Sequence, residues 1–173
     1  MSKLAIAYLG LGSNLGKREE NLCQALALLS QRVSLEAVSS VYETEPVPIL
    51  NRDKEQPLFL NLACRITTDL PPEDLLRLAK DIEVRMSRVP SSQRNSPRPI
   101  DIDILLYNST VVQTQHLTIP HPRLKERAFV LIPLAEIAPH LIHPGLGKAM
   151  ARLASDVEGQ ESVRKWYYVK RDE

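Results

Sequence analysis

The chain has 173 residues, a formal net charge of +1 and a hydrophobic fraction of 43%. This length predicts one domain that can bury a core, and the balanced charge excludes a general field for nucleic acid or an anionic membrane. No apolar run approaches the roughly 18 residues of a membrane span, and the first residues do not resemble a signal peptide. Cys23 and Cys64 have apolar neighbours and are predicted to be buried thiols, so we expect a cytoplasmic protein.

The pattern of apolar residues predicts alternating strands and helices. The predicted order is strand, helix, strand, strand, helix and strand, at residues 4–11, 17–31, 33–43, 58–68, 70–86 and 100–107. A short strand at 110–113 and helices at 129–138 and 148–154 follow. This order is typical of a ferredoxin-like antiparallel sheet backed by helices. We expect a single domain over residues 1–158 and a polar tail over residues 159–173.

A glycine-rich segment, residues 10–16, joins the first predicted strand to the first predicted helix. Its sequence, GLGSNLG, lacks the Lys-Ser/Thr ending of a phosphate-binding P-loop. Leu15 stands where a dinucleotide-binding motif would have its third glycine. We therefore expect a tight turn into the helix rather than a nucleotide cradle.

The strongest chemical signal lies in residues 88–104, RVPSSQRNSPRPIDIDI, where a basic loop leads into a strand of alternating acidic and apolar residues. Successive strand side chains point to opposite faces, so Asp101 and Asp103 share one face. Two neighbouring carboxylates suit Mg2+, which completes its shell with water and phosphate oxygens, and arginine forks suit phosphate. The combination indicates phosphoryl or nucleotidyl chemistry. The alternative is a solvated Asp pair that forms ordinary salt bridges with the arginines.

A second candidate site lies on the predicted strand at 58–68. Phe59 and Asn61 share one face of this strand, as either a cross-strand surface pair or part of a pocket for a flat heterocycle. The long loop that precedes the strand, residues 45–57, is typical of a lid or a binding loop. Glu83 lies beside the apolar stripe of the second helix, either as a boundary residue or as a group that reaches a site at the helix end.

These segments together resemble the 6-hydroxymethyl-7,8-dihydropterin pyrophosphokinase family. The resemblance covers residues 4–150 and rests on the motifs GSN at 12–14, VYET at 41–44, FLNLA at 59–63, PRPIDID at 97–103, PH at 120–121, RAF at 127–129 and PLAEIAP at 133–139. It implies an α+β, ferredoxin-like domain with helices on both sides of the sheet, a three-layer αβα arrangement. It also implies that the β,γ-pyrophosphoryl group of ATP moves to the hydroxymethyl oxygen of the pterin, releasing AMP, in folate biosynthesis. The implied protein is a monomer that binds ATP and the pterin, with no nucleic acid and no membrane.

The resemblance implies roles for particular residues. Asp101 and Asp103 would hold two Mg2+ ions against the ATP phosphates, and together with Arg88 and Arg98 they are the implied catalytic residues. The implied ATP-binding residues are Arg88, Arg98, Ile104, Thr118, His121 and Arg127. The implied pterin-binding residues are Thr44, Val47, Phe59, Asn61 and Phe129.

Two positions depart from the family pattern. Asn95 stands where a Trp often follows the middle loop arginine, Arg94, and Pro90 replaces a basic residue, so loop closure is where this chain would differ. Two other function classes fit part of the sequence: a metal-dependent nuclease or other phosphotransferase that uses the same Asp pair, and a non-catalytic binding module for RNA or a regulator. RNA-binding sheets of this topology expose several aromatics on neighbouring strands, and two Phe and five Tyr form no such set.

Overall fold

An antiparallel sheet organises the described part of the chain, residues 3–47, 56–87 and 98–166 of a computed structural model. The strands are β1 (Ala5–Ser13), β2 (Ser34–Val38), β3 (Tyr42–Thr44), β4 (Phe59–Thr68), β5 (Asp101–Tyr107), β6 (Val112–Gln113), β7 (Thr118–Ile119) and β8 (Val163–Lys165). The α-helices are α1 (Arg18–Ser30), α2 (Pro72–Met86), α3 (Ala128–Ile137) and α4 (Met150–Asp156). Within these ranges, no helix combines the length and the apolar character needed to cross a membrane.

The main sheet has the strand order β5, β1, β4, β3 and β8, and β2 also pairs with β4. Each of these pairings is antiparallel. Strands β6 and β7 form a separate two-stranded sheet. The predicted antiparallel sheet is therefore confirmed, but the single strand expected at residues 33–43 is divided into β2 and β3.

Apolar side chains on both faces of the sheet are covered by helices. Strand alternation sends Leu62 into a cluster with residues of α1 and α2, such as Leu22 and Leu75. Its neighbour Ala63 joins a cluster with residues of α3 and α4, such as Leu131. Because fully burying a leucine stabilises a fold by about 1.5–3 kcal/mol, these clusters fix which face each strand residue occupies.

The glycine-rich segment differs from its predicted conformation. Instead of turning at Gly10, β1 continues to Ser13, because β4 and β5 pair with it on both sides as far as Gly12. The turn comes later, where Gly16 has a φ of 68°, a backbone conformation that glycine adopts without steric strain.

The segment assigned to a polar tail also differs, since part of it joins the sheet. Strand β8 pairs with β3, and the Trp166 backbone N–H donates to the Val41 carbonyl at 2.8 Å. A three-residue edge strand with one valine and two charged residues is too short to show an alternating apolar pattern, so periodicity does not predict it.

The two cysteines lie in different environments. Cys64 is buried in β4, as predicted, but Cys23 is exposed, and the prediction for it was wrong. On α1, each residue advances about 100°, so Cys23 leaves the buried face that its neighbour Leu22 occupies.

Candidate active site

One row of residues crosses four strands on the face of the sheet that α3 covers. Asp101 of β5 pairs with Gly12 of β1, and Gly12 pairs with Asn61 of β4. Tyr42 of β3 pairs in turn with Asn61. Neighbouring strands lie about 4.8 Å apart, so β5, which carries Asp101, and β4, which carries Asn61, are about 10 Å apart. Gly12 of β1 lies between them.

The carboxylates occupy the same face of β5, as their spacing predicts. Asp101 and Asp103 both line one cavity, whereas Ile102 and Ile104 are buried on the opposite side. The next row repeats the arrangement, since Asp103 pairs with Gly10. The acidic side of the cavity therefore has a floor of glycine backbone.

Gly12 is required by close approach rather than by a turn. A Cβ at this position would lie 2.6 Å from Oδ1 of Asn61 and 3.5 Å from Cδ1 of Phe59. Real Cβ atoms essentially never approach a heavy atom within 3.0 Å. The need for glycine at position 12 could not be predicted from the sequence, because it depends on the pairing of Gly12 with Asn61 of β4.

The amide of Asn61 is held in place by β3. Its Nδ2 donates to the Thr44 hydroxyl at 2.6 Å, and both side chains are buried. Thr44 is also the backbone partner of Phe59 in the β3–β4 ladder. Thr44, Phe59 and Asn61, three of the predicted pterin-binding residues, therefore lie together.

Helix α3 and the segment before it form the opposite wall. Phe129 lies in the first turn of α3, and the Arg127 guanidinium carbon is 5.5 Å from its ring centroid, a cation–π distance. The cavity holds about 460 Å3. Its lining includes the predicted residues Thr44, Val47, Phe59, Asn61, Arg98, Asp101, Asp103, Arg127 and Phe129.

The cavity brings acidic and basic groups together under partial burial. Burial, and then repulsion from Asp101, raise the pKa of Asp103 to about 6. Burial lowers the pKa of the Arg127 guanidinium, with a further contribution from Arg123, which also lines the cavity. Among the described residues, the Nε atoms of Arg98 and Arg127 are buried without a hydrogen-bond partner. A bound anion is the group that would satisfy such donors.

The backbone of Arg98 is anchored by Asn14. Its N–H donates to Oδ1 of Asn14 at 3.0 Å, and the Asn14 N–H donates to the Arg98 carbonyl at 3.3 Å. The guanidinium lies 3.8 Å from the Asp101 carboxylate. Asn14 belongs to the GSN motif that supports the family resemblance. Its role in anchoring Arg98 could not be predicted from the sequence, because the two residues are 84 positions apart in the chain.

His121 lies beside this site without lining the cavity. Its backbone N–H donates to the carbonyl of Leu105, and its Nδ1 accepts the N–H of Arg123 at 3.2 Å. Burial, and then the charge of Arg127, lower its pKa to about 4. At neutral pH the ring is therefore uncharged, and because Nδ1 accepts, Nε2 carries the proton.

The remaining predicted residues fall elsewhere. Ile104 is buried in the core on the α2 side of β5, and Thr118 is exposed on β7. Neither lines the cavity. The predictions for Arg88, Arg94, Pro90 and Asn95 lie outside the described residues.

Glu83 reaches the edge of β5 from α2. Its Oε1 accepts the backbone N–H of Ile102 at 2.8 Å, between the two aspartates, and its carboxylate pairs with Lys80 at 3.1 Å. Burial raises the pKa of Glu83. Of the two alternatives for Glu83, the structure supports contact with the site's strand.

Two carboxylates are a small ligand set by themselves. No group of three or more His, Cys, Asp or Glu residues suited to a metal ion occurs in the ranges 3–47, 56–87 and 98–166. The pair on β5 nevertheless fits Mg2+, which prefers carboxylate oxygens and keeps water or phosphate in its remaining positions. Burial and the neighbouring Asp101 raise the pKa of Asp103, and a cation bound between the two carboxylates would offset both effects.

Comparison with known proteins identifies similar chains. The family model described as 7,8-dihydro-6-hydroxymethylpterin-pyrophosphokinase matches residues 8–139. A 2-amino-4-hydroxy-6-hydroxymethyldihydropteridine pyrophosphokinase of Bacillus subtilis is 44% identical over 164 residues, covering 93% of this chain and 90% of that protein. The Folic acid synthesis protein FOL1 of Dictyostelium discoideum is 45% identical over 141 residues, covering 82% of this chain but 21% of that protein.

A solved structure supports the fold. The crystal structure of Plasmodium falciparum HPPK-DHPS with SDX-DHP matches with a TM-score of 0.75 and 17% identity. The match covers 97% of this chain and 50% of that one. The chain thus spans half of the Plasmodium protein chain and about a fifth of the Dictyostelium protein, but nearly all of the Bacillus protein.

Proposed function

This chain belongs to the 7,8-dihydro-6-hydroxymethylpterin-pyrophosphokinase family, and we propose that it transfers the β,γ-pyrophosphoryl group of ATP to 6-hydroxymethyl-7,8-dihydropterin, releasing AMP. The product of this reaction would serve folate biosynthesis. The observation that carries the proposal is a cavity with two chemically different ends. One end lies on β4 and the other on β5, and β1, with Gly10 and Gly12, lies between them. One end suits a flat polar ring, and the other suits phosphate.

The ring end combines aromatic faces with an oriented amide. Phe59 and Phe129 would stack on a pterin, an arrangement that contributes about 0.5–1.5 kcal/mol per aromatic pair beyond burial. Asn61 carries both a donor and an acceptor, as the amide-like edge of a pterin requires. Its hydrogen bond to Thr44 orients this amide before a ligand arrives, which reduces the ordering entropy that binding would cost. Val47 would complete this end.

The phosphate end supplies guanidinium groups whose donors are not all used. Arg98 and Arg127 line the cavity, and each has a buried Nε–H without a partner in the described residues. The triphosphate oxygens of ATP would accept these donors in charge-assisted hydrogen bonds. His121 would add an uncharged Nε2–H donor beside them. Neither Ile104 nor Thr118 lines this cavity; Ile104, whose side chain is buried, would contact ATP through its backbone, and Thr118 through its exposed side chain on β7. Arg88, which lies outside the described residues, is proposed as a further phosphate-binding residue from its place in the sequence.

Asp101 and Asp103 would hold the metal, and we propose two Mg2+ ions. When bound, Mg2+ neutralises phosphate charge and polarises the group that is transferred. The protein's own contribution is to fix both carboxylates on one rigid strand, with Glu83 holding the peptide N–H between them.

Positioning and electrostatics can carry much of the reaction, since no described side chain in the cavity stands out as a general base. The sheet would hold the acceptor hydroxymethyl group and the phosphates at a fixed separation, and orientation of this kind is worth several kcal/mol of the barrier. Preorganised arginines would stabilise charge that develops on the phosphate oxygens.

The decisive experiment is product analysis. Purified protein is incubated with ATP, Mg2+ and 6-hydroxymethyl-7,8-dihydropterin, and the nucleotides are separated by chromatography. We expect AMP in equal amount to pyrophosphorylated pterin. ADP, or inorganic phosphate without AMP, would instead support another phosphotransferase, and cleavage of added nucleic acid would support a nuclease.

We extend the proposal to the architecture and setting of the protein. We propose a ferredoxin-like three-layer αβα domain over residues 1–158, to which β8 adds an edge strand, and apolar clusters on the two faces of the sheet support it. A cytoplasmic monomer without nucleic-acid or membrane partners fits the small net charge and the small-molecule chemistry of the cavity. Light scattering after size exclusion tests the mass, and cell fractionation tests the location.

A further inference from the structure

Arg18, at the start of α1, connects two neighbouring strands of the sheet. Its NH1 group donates to the Leu58 carbonyl at 2.8 Å, and its NH2 group donates to the Glu43 carboxylate at 3.0 Å. The two charged side chains are 23% and 25% exposed, so solvent screens their attraction only in part. One guanidinium therefore ties the beginning of β4 to β3.

These contacts lie directly behind the ring end of the cavity. Leu58 precedes Phe59, and Glu43 precedes Thr44. Thr44 and Phe59 are paired across the ladder and face the cavity, whereas Glu43 alternates with Thr44 and faces the helices. Arg18 does not line the cavity. It can act on a ligand only through the strands that it holds.

The C-terminal segment covers Arg18 from outside. The Arg18 guanidinium carbon lies 5.3 Å from the centroid of the Trp166 ring, a cation–π contact. The indole N–H donates to Glu19, and the backbone N–H of Trp166 donates to the Val41 carbonyl. Strand β8, just before Trp166, pairs with β3. Part of the segment predicted to be a tail thus packs against Arg18 and against β3, the strand that Arg18 binds through Glu43.

From this geometry, and resting on the function proposed above, we propose that Arg18 is a positioning residue for the pterin, supported by Trp166. Thr44 and Leu58 stand at the two ends of the connection between β3 and β4, and the guanidinium holds these ends together. With the ends held, the Phe59 ring and the Thr44–Asn61 hydrogen bond keep one arrangement. The phosphate end is built on β5 and the approach to α3, which Arg18 does not touch.

The first test replaces Arg18 by alanine and measures the two ligands separately. Binding of 6-hydroxymethylpterin is followed by fluorescence, and binding of a non-hydrolysable ATP analogue by calorimetry. We expect the Kd for the pterin to rise about tenfold, the scale of one lost charge-assisted hydrogen bond. The Kd for the ATP analogue should stay at the wild-type value. In steady-state assays the KM for the pterin should rise more than kcat falls.

A matched control is available on α4. Arg152 also pairs with a carboxylate, Asp156, at 2.8 Å, but its side chain is 70% exposed and does not line the cavity. Arg152→Ala should leave both affinities unchanged. If Arg18→Ala fails to fold, Glu43→Ala removes one arm of the bridge alone and should raise the pterin Kd by a smaller factor.

The role of Trp166 is tested by a double-mutant cycle. Trp166→Phe keeps an aromatic face over the guanidinium and should bind the pterin nearly as wild type does. Trp166→Ala should weaken pterin binding, and combining it with Arg18→Ala should add little, because both changes remove the same support. Fully additive effects would refute an action of Trp166 through Arg18.

The outcomes separate this inference from the proposed function. A wild-type protein that does not bind the pterin would overturn both. A wild-type protein that binds, together with a folded Arg18→Ala or Glu43→Ala variant of unchanged pterin affinity, would overturn the positioning role alone. Equal losses for the pterin and the ATP analogue would also overturn it, since they would indicate a general structural role.

Discussion

Gly12→Ala tests whether the floor of the cavity needs a residue without a side chain. The new Cβ would lie 2.6 Å from Oδ1 of Asn61, while ordinary contact begins at 3.4 Å, so the amide must recede by about 0.8 Å. That movement is opposed by the 2.6 Å hydrogen bond from Asn61 to Thr44, which is buried. Overpacking of this kind destabilises a fold by about 1–3 kcal/mol.

Two measurements check this magnitude. Each kcal/mol of destabilisation should lower the Tm of a chain of this size by about 2–4 °C in a thermal melt. Because the displaced amide is the proposed pterin contact, we also expect pterin affinity to fall about tenfold, which corresponds to about 1.4 kcal/mol. Binding of an ATP analogue should be retained.

Gly10→Ala is the matched control for stability. Its Cβ would meet the Leu105 side chain at 3.5 Å, which is ordinary contact, so the Tm should stay near the wild-type value. Adding Asn61→Ala to Gly12→Ala removes the atom that clashes, and in that background the glycine substitution should no longer lower the Tm. The reasoning is refuted if Gly12→Ala shows wild-type Tm and wild-type pterin affinity.

Three further predictions concern the phosphate end. Asp101→Ala and Asp103→Ala should each slow AMP formation on the order of 10²-fold or more in a coupled assay, and unchanged turnover would contradict the metal assignment. Asn14→Ala removes the acceptor for the Arg98 N–H and should destabilise the fold by about 1–3 kcal/mol in urea denaturation, an effect that a wild-type midpoint would exclude. The His121 ring should titrate in NMR with a pKa of about 4, and a midpoint at its ordinary value of 6.5 would disprove its burial. Since the folded state then binds this proton more weakly than the unfolded state, the residue contributes stability above pH 6.5 that is lost as the pH falls towards 4.

Local periodicity explains what could be predicted from the sequence. The shared face of Asp101 and Asp103 and the buried face of Ile102 follow from alternation along one strand, which needs no knowledge of neighbours. The same holds for Phe59 and Asn61 in β4. Predicted helix limits were close for the same reason: α1 is Arg18–Ser30 where residues 17–31 were expected.

Features that depend on pairing between distant segments could not be predicted in this way. Gly12 was assigned to a turn from its composition, but β4 and β5 hold it in a strand and Asn61 makes its missing side chain necessary. The anchoring of Arg98 by Asn14 joins residues 84 apart. Trp166 was placed in a tail because its contacts with Arg18 and Glu19 involve the opposite end of the chain.

Alternate side chains of β5 face the core and the cavity, so the register of this strand fixes both the hydrophobic packing and the positions of the carboxylates. A shift of β5 by one residue against β1 would turn Asp101 and Asp103 into the apolar cluster and bring Ile102 into the cavity. Burying two unpaired carboxylates would cost several kcal/mol each, far more than the register shift could recover elsewhere. The hydrophobic contacts of Ile102 therefore hold the carboxylates at the cavity, and the strand spacing of about 4.8 Å sets their separation from Asn61. If the two proposed substrates bind at these two ends, the backbone sets the distance between them, and we expect substitutions in the core opposite the cavity to change turnover without contacting either ligand.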